Sequence, residues 1–166
     1  KDGARLILCG RRQERLDQLK DSLNTEVHLL NFDVRDRTAV FRAIESLPAN
    51  WKQIDVLINN AGGMYPGGKR SKEGIDLSFA TNHLGHFLLV QELLPALIKG
   101  KATVIQVSSE AHRIALRPGK DFSLKKSSNS VATYALVKLY NIWFTKELVN
   151  KFASEGLTSY ALHPGA

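Results

Sequence analysis

A tyrosine and a lysine stand one helical turn apart in the run Thr-Tyr134-Ala-Leu-Val-Lys138, and a serine pair, Ser108-Ser109, closes an apolar run upstream. At that interval the phenol and the ammonium share one face of a helix. A cation beside a tyrosine hydroxyl favours the phenolate. A phenol tuned in this way can pass a proton near neutral pH, and a serine hydroxyl nearby can hold the substrate oxygen. The set suits proton transfer coupled to hydride transfer at a carbonyl or alcohol. Spacing alone does not single it out, because Tyr65 and Lys69 repeat the interval in Tyr-Pro-Gly-Gly-Lys. There Pro66, Gly67 and Gly68 oppose a helix, so the two side chains need not align. The Tyr134 copy opens a long apolar-periodic segment, and this context separates the two.

The elements that must position these groups alternate in type. Residues 5–9, 26–32, 55–59, 102–107 and 158–162 read as short strands. Helical periodicity occupies residues 14–23, 37–47, 76–98 and a segment from Tyr134 to about residue 155, with Asp36 placed to cap the second helix. The glycine-rich stretch 60–72 reads as a loop, and a polar stretch, 110–130, precedes the Tyr134 helix. Strands alternating with helices imply βαβ units and a doubly wound parallel sheet. In such sheets ligands bind beyond the carboxyl ends of the strands. At those ends lie Gly10-Arg11-Arg12, Asp33, Asn59-Asn60-Ala61-Gly62, Ser108-Ser109 and His163-Pro164-Gly165.

The chain has 166 residues, 43% hydrophobic and 23% charged, the balance of a soluble globular protein. No apolar run approaches the ~18 residues of a membrane span. The net charge of +7 is spread over small groups, Arg11-Arg12, Lys69-Arg70 with Lys72, and Lys125-Lys126. None is interleaved with aromatic residues as a nucleic-acid platform would be, so no nucleic-acid partner is expected. Cys9, the lone cysteine, lies in an apolar run and reads as a buried, inert thiol. His83 and His86 share a helix face without a third ligand at a recognised spacing, and no metal is expected.

Asp33-Val34, Asn59-Asn60-Ala61-Gly62, Asn82, Ser109, Tyr134, Lys138 and Pro164-Gly165 occur in the order and at the spacings of the short-chain dehydrogenase/reductase family, which the chain resembles over nearly its whole length. The resemblance implies a Rossmann-type α/β fold in one partial dinucleotide-binding domain, residues 1–166. It implies Tyr134 as acid/base, Lys138 holding the nicotinamide ribose and tuning the tyrosine, Ser109 orienting the substrate oxygen and Asn82 anchoring a water of the proton relay. Asn60, Ala61 and Gly62 would line the cofactor, Asp33 with Val34 beside it would meet the adenine, and Pro164-Gly165 would lie against the nicotinamide. Up to Gly62 the run Leu-Cys-Gly-Arg-Arg-Gln-Glu-Arg-Leu resembles bacterial hydroxy-acid and serine dehydrogenases. From Gly74 on, Asn-His-Leu-Gly-His-Phe and Val-Ser-Ser-Glu-Ala-His resemble retinol dehydrogenases and the WW-domain oxidoreductase.

Two departures stand out. Val137 replaces the small hydroxylated residue usual before the lysine. The family's first strand with its glycine-rich loop, and its last strand, are expected to be absent, so the sheet should be incomplete and the 166 residues by themselves inactive. The implied function is interconversion of a small alcohol and a carbonyl. The turn after the first apolar run carries Arg11 and Arg12 and no acidic residue, which favours a 2′-phosphate and hence NADP over NAD. A homo-oligomer when complete and a cytoplasmic location are also expected. The alternative is a non-catalytic interaction module on a truncated Rossmann fold.

Overall fold

Short β-branched runs form strands and the segments between them form helices, as the alternation requires. The computed structural model describes residues 3–116, 124 and 129–165. The polar stretch before the Tyr134 helix, including Lys125-Lys126, therefore falls largely outside the described residues. In chain order the elements are β1 (Leu6–Gly10), α1 (Gln13–Ser22), β2 (Val27–Asn31), α2 (Arg37–Glu45) and β3 (Val56–Asn59). A single turn, α3 (Leu77–Phe79), leads through a π turn, Ala80–Leu84, into α4 (Gly85–Lys99). Then come β4 (Thr103–Val107), α5 (Ser130–Phe152) and β5 (Thr158–Leu162).

Among the described residues the strands pair in parallel, and one isolated antiparallel bridge joins Arg70 and Asp76. β1 pairs with β2, with Leu6 opposite Val27 and Gly10 opposite Asn31. β3 pairs with β4 and β4 with β5, placing Asn59 opposite Gln106 and Val107 opposite Leu162. The strands thus form two sheets, β1-β2 and β3-β4-β5, and the expected interruption lies between β1 and β3. Both strands line one cleft of about 860 Å³. Val56 and Ile58 of β3, a strand paired on one side only among the described residues, are 53% and 60% exposed there. Cys9 stands in the same cleft and is exposed, not buried as its apolar surroundings in sequence suggested. The protein around this recess still pushes its thiol pKa up to about 11.

Two cores hold the layers. Val90, Leu93 and Leu97 of α4 and Phe144 and Leu148 of α5 pack on Val104, Ala102 and Leu157. Leu30, Phe32, Val40, Leu47 and Trp51 form the second core around α2. Fully burying a side chain such as Leu97 is worth about 1.5–3 kcal/mol. Ile44 and Leu89 touch both cores, so α2 and α4 tie the two sheets together where strand pairing does not.

Helix starts follow capping chemistry. The carboxylates of Asp36 and Asp76 accept from Ala39 N–H and Phe79 N–H, and the Asn129 carboxamide oxygen accepts from Ala132 N–H at the head of α5. The sequence predicts one helix over 76–98. The structure instead opens the backbone into the π turn at Ala80–Leu84, which bears Asn82.

Candidate active site

α5 carries Tyr134 and Lys138 on one face, as their spacing requires. Lys138 is 4% exposed. Its ammonium donates to Val107 O at 2.8 Å and lies 5.5 Å from the centroid of the Tyr134 ring. Burial lowers the lysine pKa below its usual value. Tyr134 is half-buried.

The two serines separate by strand alternation. The Ser108 hydroxyl is buried and donates to Lys138 O at 2.8 Å, tying the end of β4 to α5. Ser109 is half-buried and caps the short turn Glu110–Ile114, its hydroxyl oxygen accepting from Ala111 N–H at 3.2 Å. That leaves the Ser109 proton to donate outward. α5 packs against this turn, so Ser109, Tyr134 and Lys138 belong to one locality.

Asn82 is fully buried. Its Nδ2 donates to Gly63 O at 2.9 Å and to Ser78 O at 2.8 Å, while its Oδ1 accepts from Gly63 N–H at 2.9 Å. The side chain thus grips both backbone groups of Gly63 and fixes the loop after β3. Gly62 has φ +154°, and a Cβ there would stand 2.2 Å from Asn82 Oδ1. Only glycine fits the cradle. Asn60, Ala61 and Gly62 are exposed on the cleft wall, and His86 Nε2 donates to Ala61 O at 2.7 Å. His83 turns to Asn141 instead, so the two histidines do not converge.

At the end of β2, Asp33 is engaged by a residue that sequence reasoning missed. Arg35 donates through Nε to Asp33 Oδ1 at 2.9 Å and through Nη2 to Oδ2 at 2.5 Å. The Arg35 hydrogen bonds, with the nearby charge of Arg11, hold the Asp33 carboxyl at about 2. Arg11 lies 3.5 Å from the same carboxylate and is 58% exposed. Arg12, exposed, opens α1. Two guanidiniums, those of Arg35 and Arg11, therefore engage one carboxylate, and the exposed Arg12 adds a further positive charge to the cleft wall. Pro164 and Gly165 follow β5 and are exposed, Gly165 with φ +100°.

The structure thus places Ser109 just beyond β4 at the turn against which α5, bearing Tyr134 and Lys138, packs, and sets Asn82 behind the loop Asn60–Gly62. Arg11, Arg12, Asp33 and Val34 line the cleft from the other sheet or lie at its rim.

The parallel α/β fold sets Ser109 just beyond β4 and Tyr134 with Lys138 on α5, which packs against that turn. Residues 1–166 match the pattern of the short chain dehydrogenase family, and the chain belongs to that family. It is 37% identical over 146 residues to human retinol dehydrogenase 12, covering 87% of this chain and 46% of that protein. It is 39% identical over 113 residues to the NADP-dependent 3-hydroxy acid dehydrogenase YdfG of Escherichia coli K12, covering 66% of this chain and 46% of that one. Serine dehydrogenase from Escherichia coli superposes with a TM-score of 0.74 at 30% identity, over 98% of this chain and 72% of that structure. The chain spans about half the length of the curated relatives it matches. Among the described residues no helix is long and apolar enough to cross a membrane.

Proposed function

We propose that this chain carries the acid/base site of an NADP(H)-dependent oxidoreductase that interconverts a small alcohol and a carbonyl. One observation carries the reading: the Lys138 ammonium, buried and anchored on Val107 O, stands beneath the half-buried ring of Tyr134. The Tyr134 hydroxyl, on the same helix face as this cation, gives up or regains a proton at the substrate oxygen. Ser109 donates to the same oxygen and orients it. Asn82 keeps the loop Asn60–Gly62 in place through Gly63. Asn60, Ala61 and Gly62 would hold the middle of the cofactor, Val34 the adenine side, Arg11 and Arg12 the 2′-phosphate, and Pro164 with Gly165 the nicotinamide side. Asp33 serves by holding Arg35 and Arg11 in position rather than by meeting the base alone. Bound nicotinamide would supply or accept the hydride. The NADP dependence named for the E. coli relative supports this choice of cofactor.

Tyr134→Phe keeps the ring and removes the transferable proton. Turnover should fall by at least about 10²-fold while NADP(H) binding persists. Steady-state rates with any accepted alcohol or carbonyl decide it; near-normal turnover in the variant sinks the assignment. A second reading, an interaction module without catalysis, is favoured by the unpaired edges of β1 and β3. It requires that no alcohol or carbonyl turn over with either cofactor. We also read the working protein as a homo-oligomer, for which sedimentation velocity is the check.

A further inference from the structure

The π turn has a second tether, from the helix that bears the tyrosine. Asn141 lies one turn beyond Lys138 on α5 and is fully buried. Its Nδ2 donates to the main-chain carbonyl of Asn82 at 3.1 Å, and its Oδ1 lies 2.9 Å from His83 Nδ1. A carbonyl can only accept, so the carboxamide must present its NH₂ to Asn82 and its oxygen to His83. His83 therefore carries its proton on Nδ1 and donates it to Asn141. The imidazole is itself gripped. It stacks on Phe79 at 5.5 Å and meets Tyr140 at 5.6 Å and Phe144 at 5.9 Å. Burial holds its pKa below the ordinary value, which keeps this neutral donor form.

We propose that Asn141 is a positioning residue for the candidate site, oriented by His83 and acting on the cofactor loop through Asn82 and Gly63. A π turn is wider than an α turn, and its backbone is less firmly set by its own ladder. A donor from α5 to the Asn82 carbonyl fixes how that turn is rotated. The rotation aims the Asn82 side chain, and the side chain holds both the N–H and the C=O of Gly63. Tyr134, Lys138 and Asn141 share α5, so one rigid helix sets the acid/base pair and, through this chain of hydrogen bonds, the loop Asn60–Gly63. The inference rests on reading that loop as part of the cofactor site.

The test is amide hydrogen exchange at Gly63 in the full chain, compared among wild type, Asn141→Asp, Asn141→Ala and His83→Phe, with NADPH titrations alongside. Asn82→Ala, which removes the acceptor of the Gly63 N–H, sets the upper scale. Asn141→Asp keeps the shape but cannot donate to the Asn82 carbonyl. Gly63 should exchange about fivefold faster in both Asn141 variants, the effect of one hydrogen bond on local opening. His83→Phe, which leaves Asn141 in place, should accelerate it in the same direction by less. Amides of β4 should keep their wild-type rates, a selectivity that general loosening would not produce. A wild-type Gly63 rate in folded Asn141→Asp overturns the proposal, as does equal acceleration throughout β4. Should the Asn141 variants not fold, a wild-type Gly63 rate in His83→Phe overturns it and a selective acceleration there supports it. Failure of NADPH to bind wild type, with Gly63 responding as stated, removes the cofactor reading and leaves the tether standing.

Discussion

Gly62→Ala adds one methyl group where the fold leaves no place for it. The new Cβ would stand 2.2 Å from Oδ1 and 2.8 Å from Cγ of Asn82. Asn82 cannot swing away freely, because it is fully buried and held by hydrogen bonds to Gly63 and Ser78 at 2.8–2.9 Å. The loop must therefore move or the asparagine must surrender its partners. Keeping φ near +154° with a side chain costs about 1–3 kcal/mol. Leaving one buried amide group unsatisfied costs about 1–3 kcal/mol more. The sum, about 2–6 kcal/mol, is a large share of the roughly 5–15 kcal/mol that holds a domain folded. At about 2–4 °C per kcal/mol, the melting temperature should fall by about 10 °C at mid-range. Thermal and denaturant unfolding of the complete protein, in which these residues have their sheet partners, followed by circular dichroism, measure it. Gly63→Ala is the internal control: nothing lies within 4 Å of a Cβ there, its φ is not positive, and its hydrogen bonds are main-chain groups that alanine keeps. That variant should stay within about 0.5 kcal/mol of wild type. Asn82→Ala should also cost less in the Gly62→Ala background than alone, since the clash is then gone. Equal effects of Gly62→Ala and Gly63→Ala, or simple additivity with Asn82→Ala, would refute the reasoning.

Burial holds the His86 imidazole at about 4, against 6.5 when exposed. Its neutral form contributes stability that is complete above pH 6.5 and lost as pH falls towards 4, up to about 3 kcal/mol. His86→Gln should flatten that stretch of the stability profile, and an equally steep profile in the variant contradicts the assignment. Wild type should prefer NADP(H) to NAD(H), and Arg11→Ala with Arg12→Ala should weaken NADP(H) selectively, by about 1.5–3 kcal/mol for each charged hydrogen bond lost. Equal wild-type affinities, or equal losses for both cofactors, remove the basis for that claim. Residues 1–166 by themselves expose the edges of β1 and β3 to solvent and should aggregate or unfold without cooperativity. A monomeric, cooperative thermal transition of this stretch would show the edges to be harmless.

The elements were legible because each carries a local cause. Asp36 caps α2 as its position before an apolar-periodic run demanded, and β5 spans residues 158–162 as read. Tyr134 and Lys138 meet because an α-helix returns to the same face every turn. What was not legible depends on packing. Over five residues, hydrophobic periodicity cannot distinguish an α turn from a π turn, so Ala80–Leu84 read as plain helix. Cys9 looked buried because its neighbours in sequence are apolar; its exposure reflects a pairing partner that the described residues do not supply. Arg35 was passed over although it stands two residues beyond Asp33, where an Asx-type turn brings guanidinium and carboxylate together. The division of labour between Ser108 and Ser109 was available in principle. Burial alternates along β4, Gln106 in and Val107 half out, and continuing it puts Ser108 inside and Ser109 at the surface.

One short segment connects the parts of the site that the two sheets divide between them. Arg11, Arg12 and Asp33 lie just beyond β1 and β2, whereas Ser109 lies just beyond β4 and Tyr134 and Lys138 stand on α5. No strand pairing joins these groups. Gly85 opens α4 directly against the Val34 backbone, where a Cβ would stand 2.8 Å from the Val34 carbonyl. A larger residue at 85 would push α4 away from the turn that carries Asp33 and Arg35. The residues on either side of this contact face the other sheet: His86 donates to Ala61 O and Asn82 holds Gly63. Asn141 then links the same stretch to α5. Residues 80–86 thus touch the end of β2, the loop beyond β3 and the tyrosine-bearing helix at once. A wide turn followed by a glycine suits this role: Gly85 lets the backbone meet Val34 closely, the turn offers the Asn82 carbonyl to Asn141, and the Asn82 and His86 side chains reach the loop beyond β3.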